Sequence, residues 1–277
     1  MNFKRQYVLF FIAASMILPA CSSTHKQLKS HYKLHKITEG KHRSPENRVR
    51  NTYRNPVETL RFFEVEPNMK VVEVSPGGGW YTEILGPYLK QDGELFLTLF
   101  SEESKRSYAP RLNTKIQEMT NNKDLFGTVH FSRLETPLVI QPLAPEGSVD
   151  RVLTFRNTHT WMADGQAKQV FEAMFKALKP GGILGLVQHR AKPNKKQDPK
   201  ARKGYVREDY VIDLVESAGF EFVAKSEINA NYNDPTNHKE GVWTLPPSLR
   251  LKEKNRSRYL AIGESDRMTL KFKKPAK

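Results

Sequence analysis

A short apolar run that ends in three glycines limits the folds available to this chain. Residues 71–74 read Val-Val-Glu-Val, residues 75–79 read Ser-Pro-Gly-Gly-Gly, and residues 80–89 have helical periodicity. β-Branched residues favour a strand, and glycines adopt the tight backbone conformations of a turn. A buried strand that runs into a helix creates a ligand crevice at its carboxyl end. The segment therefore predicts a strand–turn–helix unit with a ligand site at the turn.

Strand-like and helical segments alternate along the chain after residue 50. The predicted strands cover residues 70–74, 94–100, 128–131, 149–155, 183–188, 220–228 and 268–272. The predicted helices begin at Asn55-Pro56 and cover residues 80–89, 102–121, 166–178 and 207–218, whereas residues 190–204 and 231–265 read as loops. Such alternation predicts a doubly wound α/β domain, with a mostly parallel sheet and helices on both faces.

Composition sets broader limits. The chain has 277 residues, of which 38% are hydrophobic, so it can bury a core as one large domain or two small ones. Its formal net charge of +15 favours anionic surroundings such as membrane phosphates. Cys21 is the only cysteine, which excludes an intrachain disulfide framework and a cysteine-based zinc site. No metal site is predicted.

The beginning of the chain predicts export. Lys4 and Arg5 precede an uncharged apolar run over residues 7–18, as in a secretory signal. Leu18-Pro19-Ala20-Cys21 resembles the lipobox of bacterial lipoproteins, which predicts a signal peptide over residues 1–21 and a membrane anchor on lipidated Cys21. No Asp follows Cys21, so the periplasmic face of the outer membrane is the expected location. The alternatives are an ordinary signal-peptidase cut and an uncleaved, cytoplasmic chain.

The chain after the predicted signal peptide divides into two segments. Residues 22–50 contain four histidines and many basic residues with few large apolar ones, so they predict a basic flexible tether. Residues 51–277 then form the folded domain. The basic loop from Arg190 to Arg207 is a candidate binding surface for an anionic substrate, or a solvated flap. It contains few aromatic residues, so nucleic-acid binding is not expected.

Several motifs together resemble class I S-adenosylmethionine-dependent methyltransferases. They are the run from Val71 to Leu85, the Asp150–Leu153 strand start, and Leu178-Lys179-Pro180-Gly181-Gly182 before an apolar strand. More narrowly, residues 53–60, 154–157 and 265–267 resemble a predicted bacterial methyltransferase family. The resemblance covers residues 51–274. It implies a Rossmann-like sheet of seven strands, the last antiparallel, with S-adenosylmethionine as cofactor over residues 75–79.

Carried over by position, the resemblance assigns candidate site residues. The cofactor-binding set comprises Glu73, Ser75, Gly77, Gly78, Gly79, Glu102 and Glu135. The acid that usually ends the second strand and holds the ribose diol is absent, because Phe100 and Ser101 stand there. Glu102 is the candidate replacement, and Glu135 is either an adenine-side contact or an exposed loop acid.

Acceptor contacts are expected after the fourth strand, where Asn157 and His159 are the candidate catalytic residues. An imidazole can serve as a base near neutral pH. The structural alternatives are a turn-capping role for Asn157 and a purely structural role for His159.

The resemblance therefore implies an S-adenosylmethionine-dependent methyltransferase, and we expect it to act on a small-molecule or anionic acceptor. The alternative is a non-catalytic, membrane-anchored periplasmic lipoprotein that binds a ligand on a methyltransferase fold. The missing second-strand acid favours this alternative. Export would take the chain to a compartment where the cofactor is not expected, which leaves three possibilities: a cytoplasmic enzyme, a cofactor that reaches the periplasm, or this binding lipoprotein. Glu73 and the glycine turn favour the enzyme.

Overall fold

A computed structural model describes the backbone of residues 20–276 and the side chains of residues 28–276. The helices are α1 (Ala20–Thr38), α2 (Pro45–Arg48), α3 (Asn51–Arg54), α4 (Pro56–Phe62), α5 (Thr82–Leu89), α6 (Ala109–Thr120), α7 (Thr158–Ala163), α8 (Ala167–Ala177), α9 (Glu208–Glu216) and α10 (Arg256–Ile262). The strands are β1 (Lys70–Val74), β2 (Glu94–Leu99), β3 (Thr128–Glu135), β4 (Val139–Ile140), β5 (Val149–Phe155), β6 (Leu178–His189), β7 (Glu221–Ser226) and β8 (Arg267–Lys273).

All of these strands form one sheet in the order β4-β3-β2-β1-β5-β6-β8-β7. Neighbours from β3 to β6 are parallel, whereas β8 runs antiparallel to both β6 and β7. The predicted doubly wound sheet with an antiparallel last strand is therefore confirmed. The strand count differs from the predicted seven because the two-residue β4 pairs with Leu134 and Glu135 at the sheet edge.

Helices cover both faces of the sheet, as predicted. Alternate β1 side chains point to opposite faces, so Val72 and Val74 pack in a core with α7, α8 and α9. Val71 packs on the other face with residues of α1, α4, α5 and α6. Because both faces are covered, the ligand crevice of such a sheet lies at the carboxyl ends of its parallel strands.

Residues 22–50 depart from the flexible tether that their composition predicts. They contain α1 and α2, and α1 packs against α4 and α5. Leu34 is fully buried, and Lys33 Nζ donates a hydrogen bond to the Tyr88 carbonyl at 2.9 Å. Arg43 is 1% exposed, and its Nη1 donates to the Thr38 carbonyl at 2.7 Å. The prediction of a flexible tether is wrong. Only a few buried side chains attach this segment to the domain, and most of its other residues are basic and solvated. The average composition of the segment therefore does not reveal the residues that pack.

The bounds of several helices and strands also differ from the predicted ones. The helix predicted from residue 102 begins at Ala109, because Pro110 fits only the first turn of a helix. Lys179-Pro180-Gly181-Gly182 lies inside β6 rather than before it. The predicted loop 231–265 contains α10 and a short 3-10 helix, Gly241–Thr244.

The predicted signal segment lies outside the described residues over positions 1–19, and the backbone of Cys21 lies in the first turn of α1. Among the described helices, none has the length and apolar character needed to cross a bilayer.

Candidate functional site

The turn after β1 lies at the centre of the carboxyl edge of the sheet. Ser75 follows the strand with a positive φ of 51°, and its N–H donates to Thr98 Oγ1 of β2 at 2.7 Å. Gly77 and Gly79 have φ values of 59° and 81°, which glycine adopts at little cost. The turn is thus fixed to the neighbouring strand, and its glycines meet a conformational requirement.

The glycines face different surroundings. A Cβ added to Gly77 would meet no atom within 4 Å, so this residue borders open space. A Cβ on Gly79 would lie 2.9 Å from Ile116 Cδ1 and 2.9 Å from Met119 Cε of α6. A Cβ on Gly78 would have only Lys115 Nζ near it, at 3.8 Å. Gly77 is therefore the glycine that a ligand could approach, whereas Gly79 allows α6 to pack closely.

A cavity of about 140 Å³ opens beside Gly77 at the ends of the central strands. It lies between the turn after β1, the segment after β2, the end of β3 and the start of α7. Its lining consists of Ser75, Gly77, Phe100, Arg106, Tyr108, Leu134, Glu135, Thr136, Asn157, Thr160 and Trp161. The structure thus brings four of the predicted site residues together: Ser75, Gly77, Glu135 and Asn157.

Glu135 is the last residue of β3 and is 4% exposed, so the interpretation as an exposed loop acid is wrong. Its Oε1 accepts hydrogen bonds from Ser104 Oγ at 2.7 Å and Arg106 Nε at 3.1 Å. Its Oε2 accepts one from Ser101 N–H at 3.0 Å. A carboxylate oxygen has two lone pairs, so Oε2 retains capacity for one more donor. The carboxylate therefore reaches the end of β2, where the sequence lacks an acid.

Glu73 lies beneath the turn rather than in the cavity lining. It is 2% exposed, and Thr82 Oγ1 of α5 donates to its Oε2 at 2.7 Å. Burial raises the pKa of Glu73 to about 7, although the bond from Thr82 and the charge of Arg156 oppose this rise. Glu73 therefore joins β1 to α5, the two elements that the turn connects.

The two predicted catalytic residues have different surroundings. Asn157 lines the cavity, and its Nδ2 donates to the carbonyls of Val74 at 3.0 Å and Ser75 at 3.3 Å, so it also caps the turn after β1. His159 does not line this cavity. Its Nδ1 lies 3.3 Å from Gln188 Nε2, and its ring packs near His189 and Trp243. Burial lowers the pKa of His159 to about 4.

Glu102 does not join the site. Its side chain is 82% exposed, and its Oε1 lies 2.6 Å from Arg133 Nη2. Arg106 is a site residue that the sequence did not predict. It also donates to the Thr136 carbonyl at 3.1 Å and contacts Asp164 at 3.2 Å. No periodic pattern marked it, because it lies in the irregular segment before α6.

No family model matches the chain, and no curated protein matches it. A SAM-dependent methyltransferase from Aquifex aeolicus is similar in structure, with a TM-score of 0.54 and 16% identity over 88% of this chain and 98% of that one. The cyclase SpnF is also similar, with a TM-score of 0.56 and 12% identity over 92% and 97% of the two chains. The chain therefore has the Rossmann-like fold found in SAM-dependent methyltransferases, and this fold also occurs in a cyclase.

Proposed function

We propose that this chain is an S-adenosylmethionine-dependent methyltransferase acting on a small acceptor. The observation that carries the proposal is that Gly77 borders an open cavity. The ends of the central parallel strands surround this cavity. The fold adds support, because ligands of open α/β sheets bind at this edge.

The residues at this edge fit the cofactor by their chemistry. Gly77 allows a ligand to approach the backbone, and Glu135 Oε2 can accept a hydrogen bond from a hydroxyl group. The cavity of about 140 Å³ is smaller than the roughly 300–1,000 Å³ of most ligand sites. The whole cofactor therefore needs more space than this cavity provides. We expect the side chains of Arg106 and Tyr108, which line the cavity from the segment before α6, to move when it binds.

When bound, S-adenosylmethionine supplies a methyl group on a positively charged sulfur, and its transfer depends mainly on alignment with the acceptor. Asn157 holds the turn after β1 against the end of β5, which fixes the relative positions of the two strands that border the site. His159 is neutral at pH 7 because burial lowers its pKa to about 4. A group with so low a pKa is a weak general base. The site therefore suits an acceptor that reacts without losing a proton to His159.

Calorimetry of the protein with S-adenosylmethionine and S-adenosylhomocysteine tests the proposal. Gly77→Ala should weaken binding at least about tenfold, because the new methyl group enters the open space on the cavity. Gly147→Ala is the matched control, since Gly147 has a φ of 63° and equally open surroundings but precedes β5 at the opposite edge. It should bind like the wild type. Binding of neither ligand by the wild type, or equal binding by both variants, would contradict the proposal.

The second candidate is a membrane-anchored protein that binds its ligand without catalysis. The specific observation in its favour is that Phe100 and Ser101, rather than an acid, follow β2. The two candidates differ in turnover. Incubation with methyl-labelled S-adenosylmethionine and a panel of small carboxylates, phosphates and amines should yield S-adenosylhomocysteine for the enzyme. Tight cofactor binding without turnover on any panel member would favour the binding protein.

A further inference from the structure

A group of arginines shares one carboxylate on the other side of Asn157 from Glu135. Glu264 accepts hydrogen bonds from Arg50 Nε at 2.7 Å, Arg54 Nε at 3.0 Å and Arg267 Nη2 at 2.6 Å. Glu264, Arg54 and Arg267 are each 2–3% exposed. Three guanidinium groups therefore meet a single buried carboxylate, and two of them, those of Arg54 and Arg267, are themselves buried.

Arg156 lies close enough for the charges of Arg267, Glu264 and Arg50 to act on it, and the four arginines are called the arginine cluster below. Arg156 follows β5 with a φ of 66°, and its N–H donates to the Val187 carbonyl at 2.7 Å. Within residues 28–276, its side chain makes no hydrogen bond or ion pair. Burial, together with the charges of Arg267 and Arg50, lowers the pKa of Arg156 to about 10.

The charges of the arginine cluster are not balanced. Four guanidinium groups and one carboxylate carry a net charge of +3. The neighbouring acids are already engaged. Asp266 accepts two hydrogen bonds from Arg190, and Glu73 accepts one from Thr82 while burial raises its pKa to about 7. Arg54 and Arg267 are buried, whereas Arg50 and Arg156 are partly exposed. Buried charges are normally paired, so this excess of positive charge favours the binding of an anion.

Unused hydrogen-bond donors support the same conclusion. Arg54 Nη1 and Arg267 Nε are buried and have no partner within the described residues. The Arg54 guanidinium lies over the Trp80 ring at 4.7 Å, a contact that provides no acceptor oxygen. Guanidinium groups match the geometry of carboxylate and phosphate oxygens. The cluster therefore has the donors that an oxyanion requires.

The cluster lies where an acceptor would approach. Arg156 directly precedes Asn157, which lines the cavity, while Glu135 lies on the far side at the end of β3. Arg267 begins β8 opposite His189 at the end of β6. We propose that the arginine cluster binds a carboxylate or phosphate group of the methyl acceptor, with Arg156 as the contacting residue; the acceptor assignment rests on the proposed function.

The test uses protein loaded with S-adenosylhomocysteine and measures its melting temperature in sodium phosphate, sodium acetate and sodium chloride at equal ionic strength. The wild type should be stabilised by phosphate, acetate or both more than by chloride. Phosphate alone indicates a phosphorylated acceptor, and acetate indicates a carboxylate. Arg156→Met should raise the half-saturating anion concentration at least about tenfold, whereas Arg156→Lys should retain part of the response because it keeps the charge.

Arg258→Met is the matched control. Arg258 is an exposed residue of α10 with no hydrogen bond or ion pair to its side chain within the described part of the chain. This variant should respond like the wild type. If chloride stabilises the wild type as well as phosphate and acetate do, or if Arg156→Met and Arg156→Lys both keep the full response, the oxyanion site does not exist.

A second comparison separates the acceptor from the cofactor. S-Adenosylmethionine has an amino-acid carboxylate, and 5′-methylthioadenosine lacks it. If Arg156→Met weakens binding of the first compound but not of the second, Arg156 holds the cofactor and the acceptor assignment is overturned. If the wild type binds no S-adenosylhomocysteine while phosphate still stabilises it through Arg156, the proposed function fails and the oxyanion site stands.

Discussion

At the scale of single residues, the buried ionisable groups near the carboxyl edge determine how stability responds to pH. The carboxyl group of Glu73 and the imidazole of His159 both lie in places where their charged forms are disfavoured. Burial raises the pKa of an acid and lowers that of a base. The two residues therefore affect the stability of the fold in opposite directions as pH rises.

Glu73→Gln should remove a loss of stability that the wild type shows as pH rises from about 4.5 to about 7. The pKa of Glu73 rises from 4.5 to about 7 on folding. Between these values the unfolded chain has released a proton that the folded chain keeps, so the free energy of unfolding falls by up to about 3 kcal/mol. Glutamine still offers an oxygen to Thr82 but cannot ionise.

Urea unfolding at pH 5 and at pH 8 measures this effect. The variant should gain stability relative to the wild type at pH 8 compared with pH 5. Glu146→Gln, at an exposed position, is the control and should show no such gain. Equal differences from the wild type at both pH values would contradict the interpretation.

His159→Asn tests the opposite trend. The folded chain excludes a proton from His159 until about pH 4, whereas the unfolded chain binds one below about pH 6.5. The wild type should therefore lose stability as pH falls through this interval, and the variant should lose less. Melting temperatures at pH 5 and pH 7 check this, and affinity for S-adenosylhomocysteine should stay within about threefold of the wild type because His159 does not line the cavity. A large loss of affinity in a folded variant would place His159 in the site.

At the scale of elements, α1 behaves as part of the folded domain. Tyr88 of α5 accepts the Lys33 bond on its carbonyl oxygen, and its hydroxyl group lies 2.6 Å from Ser30 Oγ. Glu83 of α5 contacts Arg43 at 3.4 Å, and Asn47 Nδ2 donates to Glu83 at 2.7 Å. A domain that starts at residue 51 would therefore expose part of α5 to water.

Leu34→Ala measures the contribution of α1. Leu34 is fully buried, so the change should lower the free energy of unfolding by about 2–5 kcal/mol through lost burial and a cavity. Leu28→Ala lies on the same helix, where Leu28 is 62% exposed, and should change stability by less than about 0.5 kcal/mol. Similar effects of the two changes in a denaturant titration would mean that α1 does not pack as described.

At the scale of the whole molecule, the attachment of the domain to a membrane is a prediction that rests on the sequence around Cys21. If Cys21 carries a lipid, a helix that begins near it connects the membrane to the buried Leu34. Thirteen residues of helix span about 20 Å at 1.5 Å per residue. The lipid would then be separated from the core residue Leu34 by a helix of defined length.

Metabolic labelling with a fatty acid tests this attachment in full-length protein. The wild type should incorporate label and enter the detergent phase of a phase-separation assay. Cys21→Ser should do neither, because Cys21 is the only cysteine in the chain. Ser22→Ala, one residue away, should behave like the wild type. An unlabelled wild type would leave secretion without an anchor, or retention in the cytoplasm, as the remaining interpretations.

The sequence alone determined the sheet and its central turn. Residues 71–74 and 152–155 are buried and rich in apolar side chains, and turn residues follow the first of these runs. A short apolar run of this kind is the local pattern that predicts a buried strand of a parallel sheet. The glycines of residues 77–79 marked the turn for the same reason, because their backbone conformation is a local property. The sequence also predicted that Glu135 and Asn157 lie at this edge, because each comes at or just after the end of a predicted parallel strand.

The side chains that meet at this edge depend on how the strands and helices pack together. Glu135 reaches Ser101 and Arg106, and Gly79 faces α6 instead of the cavity, because distances between strand ends and helices depend on packing rather than on spacing along the chain. The arginine cluster joins residues up to 217 positions apart in sequence, from Arg50 to Arg267, so no local pattern could reveal it. No local pattern predicted the packing of α1 either. A basic, solvated helix needs only a few buried side chains, such as Leu34, to pack against the domain.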